Sequence, residues 1–511
     1  IAEASSLSAV EELAQLRREN ASLLAKAEFL EEENRLLRAI LYGKSSEKKP
    51  TCGETSLQLQ FSFDEADESI TSSKPSVPQP VLVKEHARQK PGRKPIIDSL
   101  PRIENVIDLP ETEKFAICGC PLKCIGSQDS ERLDIVPAKI QVIKTKRLKY
   151  APQCECATSV GASGEVRIAP APAELIPHGL ATAGLVAHVV TAKFVDAIPL
   201  YRQEQQFVRL GLDLNRNTLC SWVLLAAAAC KRLIELLMDE ILSGPLVNMD
   251  ETRVQVLREP GRSNTSNSYM WVIRGGPPDR PGIIFRYDPN RSARVPEELL
   301  LKYRGFLQTD GYVGYEAIGE REGICHLGCW AHARRKFVDV VKGTKGKAKG
   351  GVAQEVIDLI GNLYAVEDKA DEQKLPPDQR KDLRHIETKP ILEEIKKVLD
   401  TRRKSTPPRS LLGKAIAYSL NQWPRLNVYL EDGNLRPDNN LAENSIRPFA
   451  IGRKNWLFSG SPRGATGSAT LNSLIETAKA NGLEPYTYLR FIFRTLPTIS
   501  SDKEIKTLLP Q

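Results

Sequence analysis

Leu246-Val-Asn-Met-Asp250-Glu-Thr252 and Gly305-Phe-Leu-Gln-Thr-Asp310-Gly-Tyr312 are the two stretches that decide the fold. Each is a short apolar run that reads as a buried strand closing on an aspartate. Tyr269–Ile273, Ile283–Tyr287 and Gly323–Leu327 carry the same aromatic and β-branched signature, and Ala331–Val341 then turns to helical spacing. Five strands followed by a helix predict a mixed sheet flanked by helices. Asp250 and Asp310 come together if the strands they end are neighbours.

A third acid stands far along the chain, Glu443 in PDNNLAENSIRPF. Asp438-Asn439-Asn440 predicts a helix cap ahead of it. On that short helix Ala442, Ile446 and Phe449 share an inward face. Asn440, Glu443 and Arg447 share another, which sets an acid for metal beside a cation for phosphate. The run Arg453-Lys454-Asn455-Trp456, followed by Ser461-Pro-Arg463-Gly464, combines cations, an aromatic and glycines, which suits contact with a DNA backbone.

Carboxylates of this kind suit hard divalent ions. Mg²⁺, with Mn²⁺ as the alternative, prefers carboxylate oxygen and keeps several waters. Two such ions about 3.5–4 Å apart activate the attacking oxygen of a phosphodiester cleavage and stabilise the leaving one. In that scheme Asp250 bridges both ions, and Asp310 and Glu443 hold one each. Glu251 and Asp438 are rival ligands. Taken singly, each acid among 64 is more often a surface or capping group. Cys325-His326-Leu-Gly-Cys329-Trp-Ala-His332 imitates metal spacing. The preferred reading is a core Cys329 and a His332 near the acids, within reach of DNA phosphate.

Between Ala331 and Asn440 the chain has little strand character. Lys342–Gly351 is a flexible basic loop, and residues 352–430 are helical with breaks at Pro376-Pro377 and Pro407-Pro408. The expectation is a helical insertion between the second and third acids. Ahead of the sheet, Leu200-Tyr-Arg-Gln-Glu204 starts a helix ending near Gly211, and Asn215-Arg216-Asn217-Thr-Leu219-Cys-Ser221-Trp222 begins another. That fits a helix-turn-helix reader with Arg216, Asn217 and Ser221 toward the groove and Leu219 and Trp222 inward. An ordinary helical hairpin stands equally beside it.

Leu16, Leu23, Leu30 and Leu37 recur every seven residues, with Leu13, Asn20, Ala27, Asn34 and Leu41 at the other apolar position. Leucine at d with asparagine at a is the pattern of a parallel two-stranded coiled coil, hence a homodimer. A solitary amphipathic helix is the plainer alternative. Residues 43–95 are rich in Ser, Lys, Pro and Gln and read as linker. That linker closes on Lys90-Pro-Gly-Arg93-Lys-Pro95, where Arg93 could enter a narrow minor groove. Cys118-Gly-Cys120-Pro-Leu-Lys-Cys124 and Cys154-Glu-Cys156 frame a hairpin in the manner of a structural zinc ribbon. The C-x-C spacing departs from the usual C-x-x-C knuckle and keeps open a ribbon that folds without Zn²⁺.

The bulk numbers agree with several soluble units. At 511 residues the chain exceeds one core. A net charge of +8 permits nucleic acid without demanding it. The longest apolar run, Trp222–Cys230, is far short of a membrane span, and no secretory signal opens the chain. The crowding of Cys118–Cys156 reads as metal spacing in a reducing cytosol rather than as disulfides.

At this point the strings MDET at 249–252, LQTDGY at 307–312, CWAHARRKF at 329–337 and DNNLAENSIRPFAIGRKNWLFSGS at 438–461 are recognisable. So are LYRQEQQFVRLGLDLNRNTLCSWV at 200–223, LLGKAIAYSLNQW at 411–423 and SLIETAKANGLEPYTYLR at 473–490. Over nearly its whole length the chain resembles the transposases of the insertion-sequence-66 family of bacterial mobile elements. The resemblance implies a DDE enzyme with Asp250, Asp310 and Glu443 as its catalytic triad, which settles the choice against Glu251 and Asp438. It implies an RNase-H-like α/β domain interrupted by a helical insertion, in a multidomain α+β protein. The implied reaction is hydrolysis at transposon ends, then attack of the freed 3′-hydroxyls on target DNA. Implied partners are transposon-end DNA, target DNA and small accessory proteins from the same element, in a cytoplasmic, nucleoid-associated setting.

The expected division is a coiled-coil helix at 1–42, basic linker at 43–98, zinc-ribbon-like module at 99–175 and helix-turn-helix region at 176–243. The catalytic core occupies 244–342 and 433–470 around the insertion at 343–432, with a helical tail at 471–511. Two rival functions differ in kind. A DNA-binding regulator with an inactive RNase-H-like domain would bind ends without cutting. An RNase-H-like nuclease without transfer activity would nick and never join.

Overall fold

The computed structural model describes residues 140–150, 167–343 and 351–510, with Gln15, Asn20 and Leu23 as helical positions near the start. Leu23, at one of the heptad positions, is exposed. The rest of the coiled-coil expectation, Arg93 and the cysteines Cys118, Cys120, Cys124, Cys154 and Cys156 lie outside the described residues. Lys146–Gln511 belong to one compact unit.

A two-residue ladder, β1 (Lys149–Tyr150) with β2 (Arg167–Ile168), precedes four helices. These are α1 (Ala183–Phe194), α2 (Leu200–Arg209), α3 (Arg216–Ala229) and α4 (Lys231–Leu242). Gly211, at φ +80°, takes the left-handed turn between α2 and α3 that a side chain disfavours. Asn215 then caps α3, its side chain accepting from the Asn217 backbone N–H.

Five strands follow, and they form one mixed sheet in the order β5-β4-β3-β6-β7. β3 (Leu246–Gln255), β4 (Asn267–Gly275) and β5 (Gly282–Asp288) make an antiparallel meander. Helix α5 (Arg294–Leu299) crosses to β6 (Gly305–Gln308), which runs parallel to β3. A short helix α6 (Glu316–Gly319) leads to β7 (Ile324–Leu327), parallel to β6. The expected strands are all present. One detail differs: β3 does not end at Asp250 but runs five residues further. Its pairing with β6 stops at Asn248↔Gln308, whereas its pairing with β4 continues to Gln255. Asp250 therefore stands where the parallel half of the sheet opens, inside a strand held by its antiparallel neighbour.

Alternation along the strands sorts the core into two sides. Val247, Met249, Trp271, Ile273 and Ile284 pack with the helices α1, α3 and α4. Val254, Met270, Val272, Ile283 and Phe285 pack against Ala442, Ile446 and Phe449. Those three residues belong to the helix that carries Glu443, so the sheet's second face is built around the third acid.

Helix α7 (Trp330–Gly343) leaves β7 and opens the expected insertion. It contains α8 (Val352–Glu372), α9 (Pro377–Leu383), a π-helical turn Arg384–Thr388, α10 (Lys389–Arg403), α11 (Leu411–Asn421) and α12 (Trp423–Asn427). The breaks fall at the two Pro-Pro pairs, because proline is tolerated in a first helical turn and not further in. The insertion has its own core of Trp330, Phe337, Ile360, Leu363, Ile395 and Tyr429. After it come α13 (Asn440–Trp456), α14 (Pro462–Ala480), α15 (Pro485–Thr495) and α16 (Asp502–Lys506). The Glu443 helix is longer than expected.

Candidate active site

Period-two alternation decides which acid of Asp250-Glu251 faces α13. Asn248, Asp250, Thr252 and Val254 point to one side of β3. Asn248 and Thr252 bond α13 or its N-cap, and Val254 packs against it. Glu251 points to the other side. There one oxygen is gripped by the Arg291 guanidinium, with Nε at 2.6 Å, and the other accepts from Tyr315 Oη at 2.6 Å. Arg291 in turn stacks on the Tyr312 ring, 3.6 Å from its centroid. Both Glu251 oxygens are therefore engaged within the protein.

Asp310 lies two residues beyond β6, where its Oδ1 accepts from the Tyr312 backbone N–H at 2.9 Å. Gly311 follows because a β-carbon there would come within 2.6 Å of the Tyr418 ring from α11. The insertion thus reaches the loop of the second acid. Glu443, buried in the first turn of α13, meets two groups of α7: Arg335 Nη2 at 3.4 Å and His332 Nδ1 at 3.5 Å.

The charges of the other acids reach Asp250. Burial raises the Asp250 carboxyl well above its ordinary range, and the charges of Glu251, Asp310 and Glu443 push it further. Glu251 is pushed up to about 7, chiefly by burial and then by Asp310, against the pull of Arg291 and Tyr315. A cluster of buried carboxylates that repel one another is unfavourable unless a cation joins them. Glu443 Oε1 has no hydrogen-bond partner. The all-oxygen donors of Asp250, Asp310 and Glu443 fit a hard divalent ion such as Mg²⁺.

His332, expected near the acids, lies beside Glu443 and is buried, and burial lowers its pKa against the opposing pull of Asp310 and Glu443. Cys329, His332 and Glu443 each offer one donor atom within 4.8 Å of the others. The Cys329 sulfur, however, already accepts from the backbone N–H groups of Asn439 and His332. Cys325 and His326 are separate from this group, with His326 Nε2 at 2.8 Å from Thr309 Oγ1.

The helix cap also differs. Asn439 does not cap α13 with its side chain; it bonds β3 instead, donating to the Met249 carbonyl at 2.8 Å, while Asp438 accepts from Asn440 N. Along α13, Arg447 and Lys454 are exposed, and half-buried Arg453 donates to Thr252 Oγ1 at 3.3 Å. Trp456, half-buried, packs edge-on against Phe194 with Lys193 over its ring at 4.6 Å. On α3, Arg216, Asn217 and Ser221 are exposed while Leu219 and Trp222 are buried, as a reader helix and an ordinary hairpin both require. Among the described residues no helix is long and apolar enough to cross a membrane.

Fold and site together define a multidomain α+β protein with a buried carboxylate cluster on a mixed sheet. Comparison with known proteins gives the family. The profile described as "Transposase IS66 family" matches residues 178–467, and "IS66 C-terminal element" matches 473–511. "Zinc-finger binding domain of transposase IS66" matches 116–156, and "Transposase C of IS166 homeodomain" matches 29–104. Among curated proteins the chain is 35% identical to the uncharacterized protein y4jD of Sinorhizobium fredii (strain NBRC 101917 / NGR234), covering 93% of this chain and 92% of that one. It is 32% identical to the uncharacterized protein y4qI of the same strain, over 89% and 83%. The chain belongs to the IS66 transposase family, which gives it DNA as a partner.

Proposed function

We propose that the protein is a DDE transposase whose sheet and flanking helices form an RNase-H-like catalytic domain, with Asp250, Asp310 and Glu443 as the catalytic acids. The observation that carries the reading is that Asp250, Asp310 and Glu443 stand on β3, the β6 loop and the first turn of α13, with the charges of Asp310 and Glu443 both acting on the buried Asp250. The sheet order, with three antiparallel strands followed by two parallel ones, supports the fold assignment.

In this reading the three acids hold Mg²⁺, or Mn²⁺ in its place, which supplies Lewis acidity toward the scissile phosphate. Water oxygen attacks phosphorus at the transposon end, the P–O3′ bond breaks, and the 3′-hydroxyl leaves with its proton. That hydroxyl oxygen then attacks a phosphorus of target DNA and displaces the target's own 3′-oxygen, so no bond to protein forms. Arg335 and neutral His332 orient Glu443, and Arg291 holds Glu251 out of the ligand set. End recognition is assigned to α3 through Arg216, Asn217 and Ser221, with Arg93 in the minor groove and Arg447, Arg453 and Lys454 along the backbone. Zinc in the 116–156 module is assigned to Cys154 and Cys156 with Cys120 and either Cys118 or Cys124, four thiolates for a tetrahedral ion, and dimerisation to the leucine heptads. Elemental analysis and sedimentation test these last two.

The deciding experiment uses purified full-length protein, Mg²⁺ and a plasmid carrying the DNA that flanks the gene. Wild type should nick at the element ends and join them to a second plasmid, while Asp250→Asn should bind and not cut. A variant that still cuts removes the triad assignment. Wild-type binding without cleavage identifies a regulator, and nicking without joining a nuclease.

A further inference from the structure

We propose that Asn248, Gln308, Asn439 and Cys329 form a positioning layer beneath the acids that sets their affinity for the divalent ion. The inference rests on reading Asp250, Asp310 and Glu443 as metal ligands. Asn248 lies two residues before Asp250, on the same face of β3. Gln308 lies two before Asp310, Asn439 four before Glu443, and Cys329 three before His332. All four are buried, with Asn248 at 2%, Gln308 at 1%, Asn439 at 0% and Cys329 at 1% exposure.

Their hydrogen bonds run between the elements that carry the site. Asn248 Nδ2 donates to Gln308 Oε1 at 2.9 Å and to Asn439 Oδ1 at 3.0 Å. Gln308 Nε2 donates to the Arg436 carbonyl at 2.8 Å. Asn439 is the hub. Its Nδ2 reaches the carbonyl of Met249, next to Asp250, and its backbone N–H reaches Cys329 Sγ at 3.2 Å. The same sulfur accepts from the His332 N–H, so it joins the starts of α7 and α13.

The layer fixes the offset between β3, β6 and the two helix starts, two residues before Asp250 and Asp310 and about one helical turn before Glu443. Carboxylates that share an ion tolerate little displacement, and partners behind the ligands set affinity as well as geometry. A generic buried polar network would secure the fold without being in step with all three acids.

The test is Mn²⁺ titration of the full-length protein, followed by the loss of free-ion paramagnetic resonance signal. Wild type is compared with Asn439→Ala, Cys329→Ala, Cys329→Ser and Asp250→Asn. Asn439→Ala should weaken Mn²⁺ binding by about 10–100-fold, the cost typical of partners behind a metal ligand, while affinity for plain duplex DNA stays unchanged. Cys329→Ser keeps an acceptor and should bind Mn²⁺ more tightly than Cys329→Ala. A folded Asn439→Ala with wild-type Mn²⁺ affinity overturns the proposal, as does a serine variant no better than alanine. Should Asn439→Ala not fold, Gln308→Met is judged by the same criterion. Undiminished Mn²⁺ binding by Asp250→Asn would instead overturn the metal-ligand reading beneath it.

Discussion

Two buried clusters of charge sit in this molecule, and they are built in opposite ways. In the insertion, Glu367 is bound by Arg380 and by Arg384, which is wholly buried. Arg384 also donates to the carbonyls of Tyr429, Asp432 and Leu435, and Arg436 pairs with Asp371. Every acid there has its cation. At the site the charges of Glu251, Asp310 and Glu443 all act on buried Asp250, while Arg291 is committed to Glu251 and Arg335 approaches Glu443 at 3.4 Å. The first cluster closes a structure: it ties the π-helical turn to the chain segment leading into α13. The second is kept under-compensated, which costs stability and leaves room for a cation from outside.

The contrast is broken most severely at the site. Asp250→Asn should abolish Mg²⁺-dependent strand cleavage, by roughly a thousandfold or more if about 4 kcal/mol of transition-state stabilisation is lost. Quantified nicking of end-bearing plasmid checks this. At the other cluster, Arg384→Met should destabilise the protein by about 3–5 kcal/mol, the cost of removing one partner from a buried ion pair, even with Arg380 still beside Glu367. Denaturant unfolding measures it, and a loss under about 1 kcal/mol would mean that the two clusters are not built differently after all.

A third consequence concerns pH. Glu251 has a folded pKa of about 7 against an ordinary 4.5, and Asp250 is raised in the same direction. The folded state therefore binds protons that the unfolded state releases. This contribution is full below the ordinary carboxylate value and is lost as pH rises to about 7, on the order of a few kcal/mol. Melting in chelator should fall across that window, and Glu251→Gln should flatten the fall. The smallest effect belongs to the surface of α3. Arg216→Ala should lower the salt dependence of end binding by about one ion, with no change in melting temperature.

Much of this was legible in the sequence because it is local. Apolar runs marked the five strands, paired prolines marked the insertion's breaks, and the spacing of Ala442, Ile446 and Phe449 marked the buried face of α13. What escaped depends on partners far apart in the chain. Asn248 and Asn439 are 191 residues apart, and nothing near Asn439 distinguishes a cap from a tie to β3. The continuation of β3 past Asp250 follows from its pairing with β4, not from its own hydrophobicity. Cys329 read as core and Tyr418 carried no reading of its own, because a sulfur that joins two helix starts and a ring that demands Gly311 have no periodic signature. Glu251 could have been separated from Asp250 by strand alternation alone, had β3 been carried far enough.

The most direct measurement is the melting temperature of wild type and Asp250→Asn, each with chelator and with millimolar Mn²⁺, at neutral pH. An under-compensated cluster kept for a cation predicts that Asp250→Asn melts above wild type in chelator. It also predicts that Mn²⁺ raises wild type and leaves the variant unmoved, since only a state that binds the ion is stabilised by it. A variant that melts below wild type in chelator, with no response of wild type to Mn²⁺, would contradict it.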